Sequence, residues 1–213
     1  MKLLSILVGE MGVNCYIPYC EETLQGVVID PGDNGSRILR LIQKNNINIK
    51  MILLTHGHFD HIGAVKELKE QTGAQAAIHS DDAEMLVNPE KNLSYFVGKN
   101  SVQCPADIMV ENGRVVKIGN MKLTAVHTPG HTRGGLSYMT DKILFTGDTL
   151  FEGSVGRTDF PGGNSKILMQ SIHNRLMVLD DEMLIYPGHG RISSIGRERA
   201  FNPFLHSRED FDI

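Results

Sequence analysis

Three histidines and an aspartate stand within six residues, His56-Gly57-His58-Phe59-Asp60-His61, directly after the apolar run Met51-Ile52-Leu53-Leu54-Thr55. A hydrophobic core has no use for such a group, because crowded imidazoles repel when protonated and lose hydration when buried. A chain that carries it must present these side chains at a strand end, around something electron-poor. In extended backbone, residues i and i+2 point the same way. His56 and His58 can therefore take one cation as a pair. Asp60 and His61 lie where the chain turns into a helix and can reach a neighbouring cation. Imidazole with carboxylate suits Zn²⁺, and also Fe or Mn.

Two further histidines sit beside Gly and Pro after apolar strands, in Thr128-Pro129-Gly130-His131-Thr132 and Tyr186-Pro187-Gly188-His189-Gly190. Between them comes Phe145-Thr146-Gly147-Asp148-Thr149. Loops at strand ends are where rigid scaffolds present functional groups. His131 would complete the first cation's set and His189 the second's, while the Asp148 carboxylate could bridge two cations. His79, His127, His173 and His206 lack partner motifs and read as ordinary polar side chains, His127 being the closest to a motif.

Apolar patterning predicts strands near 2–8, 13–18, 24–30, 51–55 and 75–78, then 107–110, 114–118, 121–126, 135–140, 142–146 and 183–186. Helical spacing covers Ile38, Leu41 and Ile42, then Ile62, Val65 and Leu68 up to a stop at Gly73. A further helix starts at Ser80-Asp81-Asp82, and a late one carries Leu168, Ile172, Leu176 and Leu179 on one stripe. Residues 88–106 and 192–213 carry no clear pattern. This order fits neither strict βαβ alternation nor an all-β chain. It fits two sheets packed face to face with helices outside.

Composition sets the frame. The 213 residues suffice for one well-buried domain over 1–213. With 41% hydrophobic and 22% charged residues, the chain reads as soluble and globular. A net charge of −4 gives no general pull towards nucleic acid or an anionic membrane. The apolar start, Met1 to Val8, is too short for a membrane span or a secretory leader and reads as a strand, so a cytoplasmic protein is expected. Three cysteines (Cys15, Cys20, Cys104) without CxxC spacing read as reduced thiols.

Thr55-His56-Gly57-His58-Phe59-Asp60-His61 resembles the signature of the metallo-β-lactamase superfamily, and His131, Asp148 and His189 follow in the expected order. Within it the chain is similar to the short glyoxalase II-like (hydroxyacylglutathione hydrolase-like) metallohydrolases. The run from Asp148-Thr149-Leu150-Phe151-Glu152-Gly153 through Gly156-Arg157-Thr158-Asp159-Phe160-Pro161-Gly162-Gly163 carries that likeness, with Asn202-Pro203-Phe204-Leu205 near the end. The resemblance implies a four-layer αββα sandwich, of mixed α/β content, with two metals at the rim between the sheets. It matches His56, His58 and His131 to the first metal, Asp60, His61 and His189 to the second, and Asp148 to the bridge. A cysteine that zinc lactamases carry near Asp148 is missing, which argues against antibiotic hydrolysis.

The activity this implies is hydrolysis of a small thioester such as S-lactoylglutathione. Paired cations bring the pKa of a shared water from 15.7 to about 7, Asp60 ligates and orients that water, and a thiol with pKa about 8.5 leaves without a strong general acid. The helical extension that clamps glutathione in the long enzymes has no counterpart in 190–213. Arg157 matches one basic glutathione-contacting position and is expected either to hold a substrate carboxylate or to pair with Asp159 in its Gly-rich loop. The rival on the same fold is a mononuclear iron persulfide dioxygenase, disfavoured by the complete second ligand set. A metal-stabilised binding protein without turnover is a third reading.

Overall fold

The computed structural model describes residues 1–99 and 101–206. Six strands form a first sheet in chain order: β1 (Lys2–Val8), β2 (Val13–Tyr19), β3 (Gln25–Ile29), β4 (Asn48–Leu53), β5 (Gln75–Ile78) and β6 (Ile108–Met109). The first three run antiparallel, and β3 to β6 run parallel. The second half supplies β7 (Val115–Ile118), β8 (Met121–His127), β9 (Leu136–Met139) and β10 (Ile143–Gly147), a small hairpin of β11 (Leu150–Phe151) and β12 (Ser154–Val155), then β13 (Leu184–Pro187) and β14 (Ser193–Ser194). The second sheet is ordered β14-β13-β10-β9-β8-β7.

Strand alternation builds the layers. Val27, Ile29 and Leu53 of the first sheet meet Leu123, Ala125, Tyr138 and Phe145 of the second. Their neighbours Val28, Ile52 and Leu54 point the other way, onto Ile38 and Ile42 of α1 (Gly35–Lys44) and onto Ile62, Val65 and Leu68. Leu144 and Ile185 turn outward from the second sheet onto Leu168, Ile172, Leu176 and Ile195. Three cores separate four layers, αββα, as the period-2 alternation of two-faced strands requires.

The expected helix after the histidine cluster is divided into α2 (Phe59–Ile62) and α3 (Val65–Thr72). The break falls where Gly63 packs on the backbone of Gly32 and the Ala64 N–H donates to the Pro31 carbonyl (2.9 Å). Gly73, at φ +69°, ends α3 with its N–H on the Lys69 carbonyl, as predicted. The segment from Ser80 is a 3₁₀ helix to Leu86, and the late stripe divides into α4 (Ser165–Ser171) and a wider π turn, Ile172–Leu176. The unpatterned tail holds α5 (Ile195–Phe201) and α6 (Pro203–His206). Residues 207–213 of that tail lie outside the described residues.

What periodicity missed in α5 is polar anchoring. Ser194 caps the helix, accepting from the Arg197 N–H. Glu198 is buried and accepts from Ser193 Oγ, the Gly153 N–H (2.8 Å) and Asn202 Nδ2 (2.8 Å). The tail therefore braces the β11–β12 hairpin. Among the described residues, no helix is long and apolar enough to cross a membrane.

Phe145 is 1% exposed at the centre of the inter-sheet core. Phe145→Ala should cost about 3–5 kcal/mol, transfer and cavity together. Urea unfolding should show a lower midpoint at unchanged slope.

Candidate metal centre

The seven predicted residues leave the scaffold after four strand ends on one rim. His56 and His58 follow β4, Asp60 and His61 lie in α2, His131 follows β8, Asp148 follows β10 and His189 follows β13. The structure brings all seven together. Three ligand groups, His56/His58/His131, His56/His61/Asp148 and Asp60/His61/His189, each have their candidate atoms within 4.8 Å of one another. Asp148 stands between the two ends: its Oδ2 is 3.6 Å from both His131 Nε2 and His189 Nε2, and its Oδ1 is 3.4 Å from His61 Nε2.

Protein contacts orient the rings. The His61 Nδ1–H donates to Asp30 Oδ2 (2.9 Å), and the His131 Nδ1–H donates to the Arg157 carbonyl (2.7 Å). His56 Nδ1 lies 3.1 Å from Thr55 Oγ1, which itself donates to Asp30 Oδ2 (2.6 Å). These contacts aim the Nε2 atoms of His56, His61 and His131 towards one shared volume. Four buried polar atoms, His56 Nε2, His58 Nε2, His61 Nε2 and Asp148 Oδ1, have no hydrogen-bond partner. Buried orphans of this kind are costly. A donor set of imidazoles and carboxylates that shares one orphaned volume fits divalent cations.

Electrostatics prepare the donors. Burial, followed by the neighbouring imidazoles, pushes His56 far below the ordinary histidine range and His58 down to about 3. Both are neutral Lewis bases at physiological pH. Burial acts to raise Asp148, but the charge of His61 and its contact outweigh it, so the carboxyl is held low and ionised. Burial likewise opposes ionisation of Asp60, and His61 and His189 prevail to keep it a carboxylate.

Sequence reasoning missed the supports. Asp30 sits at φ +51° after β3 and accepts from the Thr55 N–H (2.8 Å), Thr55 Oγ1 and His61. Asp82, 1% exposed, accepts from the Gly57 N–H (3.3 Å), the Thr132 hydroxyl (2.7 Å) and the Gly134 N–H (2.8 Å), tying two ligand loops together. Asp30-Pro31-Gly32 after an apolar strand is the signal that could have found the first. For Asp82 no local signal exists, since its partners are 25 to 52 residues away. Gly188 leaves room for the site: a Cβ there would meet Asp148 Oδ1 and come within 2.7 Å of the His61 ring.

His79 and His127, read as lacking partners, stack face to face (4.2 Å between centroids, 6° between planes) near Asp81. Their outer nitrogens are taken: His127 Nε2 by the Arg133 carbonyl (3.0 Å), His79 Nε2 by Glu111 (3.1 Å). Arg157 reaches the cavity over the metal centre, and its Nε and Nη2 both donate to Asp159 (2.7 and 2.6 Å).

Removing the buried Asp30 carboxylate should loosen His61. Asp30→Ala should weaken metal affinity about 10–100-fold. Competition against a chromophoric chelator measures this, with far-UV circular dichroism unchanged.

Residues 8–189 match the family model for the metallo-beta-lactamase superfamily. Hydroxyacylglutathione hydrolase GloC of Haemophilus influenzae is 35% identical, over 98% of this chain and 100% of that protein. Among solved structures, the BLEG-1 B3 metallo-beta-lactamase superposes with TM-score 0.92 at 33% identity, over 97% of this chain and 100% of that one. TTHA1623 in a di-iron-bound form gives 0.84 at 33% identity, over 95% and 100%. With its two-sheet fold and its clustered histidines and aspartates, the chain belongs to the metallo-beta-lactamase superfamily.

Proposed function

We propose that the chain, acting as one domain over 1–213, is a dinuclear metal-dependent hydrolase of small thioesters such as S-lactoylglutathione. The observation that carries the reading is the shared volume faced by seven converging ligand side chains, with four buried polar atoms left unpartnered. His56, His58 and His131 would hold one cation, Asp60, His61 and His189 the other, and Asp148 would lie between them. Zinc is the proposed metal. Iron is the next choice, in keeping with the di-iron form of a structural relative. Two cations supply Lewis acidity, bringing a water's pKa towards neutrality and polarising the substrate carbonyl.

The residues then have distinct tasks. Asp60 is an ionised carboxylate whose side chain remains 15% exposed, and its Oδ2 is 3.4 Å from His189 Nε2. It accepts a hydrogen bond from the attacking water and aims its lone pair at the carbonyl carbon. The Asp30, Thr55 and Arg157 contacts hold the imidazoles in place through turnover. Outside the ligand set, the described lining residues of the cavity include no lysine or tyrosine to protonate a departing amine. A thiol, with pKa about 8.5, leaves as thiolate and needs none. That favours thioesters over amides, in agreement with the name of the Haemophilus relative. The similarity to BLEG-1 makes a β-lactam the proper comparison substrate.

Purified protein from metal-supplemented medium should hold two metal ions per chain by elemental analysis. It should hydrolyse S-lactoylglutathione faster than a cephalosporin, and should consume no O₂ with glutathione persulfide. One metal per chain with persulfide-dependent O₂ uptake would replace the hydrolase reading with the dioxygenase one.

Asp60→Ala should lower kcat about 10²–10⁴-fold, the usual range for a positioned proton acceptor. The circular dichroism spectrum should be preserved.

A further inference from the structure

The cavity above the metal centre has a volume of about 810 Å³, the size of a small-molecule site. Its floor is made by the ligand residues and its walls by hydrocarbon. Leu93, Phe96 and Val97 stand on one side, and Phe151, Val155 and Phe160 on the other. Phe96 is 70% exposed and Val97 53%, so both offer free apolar surface beside the cavity. These walls are fastened to the chemistry. Asn92 is fully buried, its carbonyl accepts from the Phe59 N–H (3.0 Å) at the start of α2, and its Nδ2 donates to the Met85 and Ser101 carbonyls (2.8 and 2.9 Å). The opposite wall belongs to the β11–β12 hairpin that Glu198 braces, and Phe160 lies edge-on to His58 (5.9 Å).

Charge is scarce there. Arg157 is the one lysine or arginine among the described lining residues. Its guanidinium is matched by both oxygens of Asp159, and its face lies 3.9 Å from the centre of the Phe160 ring. Lys99 stands outside the lining, over the Phe59 ring and 3.5 Å from Glu10. A ligand with two carboxylates would find no uncommitted cation on these walls and would lose hydration against carbon.

We infer that the cavity selects a thioester whose acyl group is a hydrocarbon chain on a small uncharged thiol, with Phe96 and Val97 as specificity-determining residues. The scissile bond in this inference rests on the thioester reading, while the hydrocarbon preference rests on the walls. S-lactoylglutathione is then hydrolysed more slowly than a hydrocarbon-chain thioester, and Arg157 serves to hold Phe160 in the wall.

The test pairs turnover with binding. Metal-loaded protein is assayed on N-acetylcysteamine thioesters with acyl chains of two to eight carbons, and on S-lactoylglutathione. Each added methylene buried should raise kcat/KM about fourfold until the cavity is full. The double variant Phe96→Ala, Val97→Ala should flatten that slope. In parallel, calorimetry measures binding of non-hydrolysable S-alkyl-N-acetylcysteamine thioethers against S-methylglutathione. Affinity should rise with chain length, with a negative heat-capacity change. Rapid lactoylglutathione hydrolysis with no chain-length dependence, and S-methylglutathione binding tighter than the octyl thioether, would overturn the inference and leave the thioesterase standing. Chain-length-dependent thioether binding without hydrolysis of any thioester would support the walls and overturn the proposed reaction.

Discussion

A group of inward-facing, unpartnered nitrogen and oxygen atoms governs this structure. Imidazole nitrogens of His56 and His61 and a carboxylate oxygen of Asp148 are buried without a hydrogen bond. Alone they would be a heavy liability, since an unpaired buried polar atom costs about 1–3 kcal/mol and a charged one more. Two features make the arrangement tolerable. The rings that would repel as cations are held neutral where they crowd most, at His56 and His58. The common volume also suits divalent cations, whose binding to the native chain alone adds to its stability.

Much of the fold's detail can be read as support for that volume. Parallel strands deliver β3 and β4 with their C-terminal ends side by side, so Asp30 reaches Thr55 and His61 across the gap. The second sheet brings Asp148 and His189 together in the same way, because β10 and β13 are parallel neighbours. Asp82 then ties the loop of His56 and His58 to the loop of His131 by three accepted hydrogen bonds. Each support is a carboxylate with little or no exposure; Asp30 gathers its donors from the segment after β4, and Asp82 from two separate loops. Such contacts fix the direction of the ligand side chains, as catalytic geometry demands.

The chemistry of the site and the character of its walls come from different parts of the chain. Ligands arise at strand ends, where the scaffold is stiffest. The walls come from the 3₁₀ turn Ser94–Val97 and from the segment around the β11–β12 hairpin, which relatives of one fold can vary freely. The Arg157–Asp159 pair belongs to this second category. It lies at a position expected to meet substrate, yet its Nε and Nη2 both donate to Asp159 within its own loop.

The sequence by itself pointed to two facing sheets with helices outside and to the seven candidate ligand residues that the fold brings together. Strand alternation is local, and the histidine motifs sit where apolar runs stop, so both are visible without coordinates. Local patterning was also sufficient for α1 and for the Gly73 stop. Tertiary structure alone decided the rest. The split between α2 and α3 depends on Gly63 meeting Gly32, thirty-one positions away in the chain. The helix α5 is held by Glu198 contacts rather than by an apolar stripe, so periodicity could not reveal it. The segment 88–106 has no period at all, and only its anchoring through Asn92 makes it a cavity wall. The roles of Asp30 and Asp82 were hidden because an acidic residue looks the same in a sequence whether it faces water or is buried among distant donors. That difference is a matter of solvation and long-range contact, and only the folded chain supplies it.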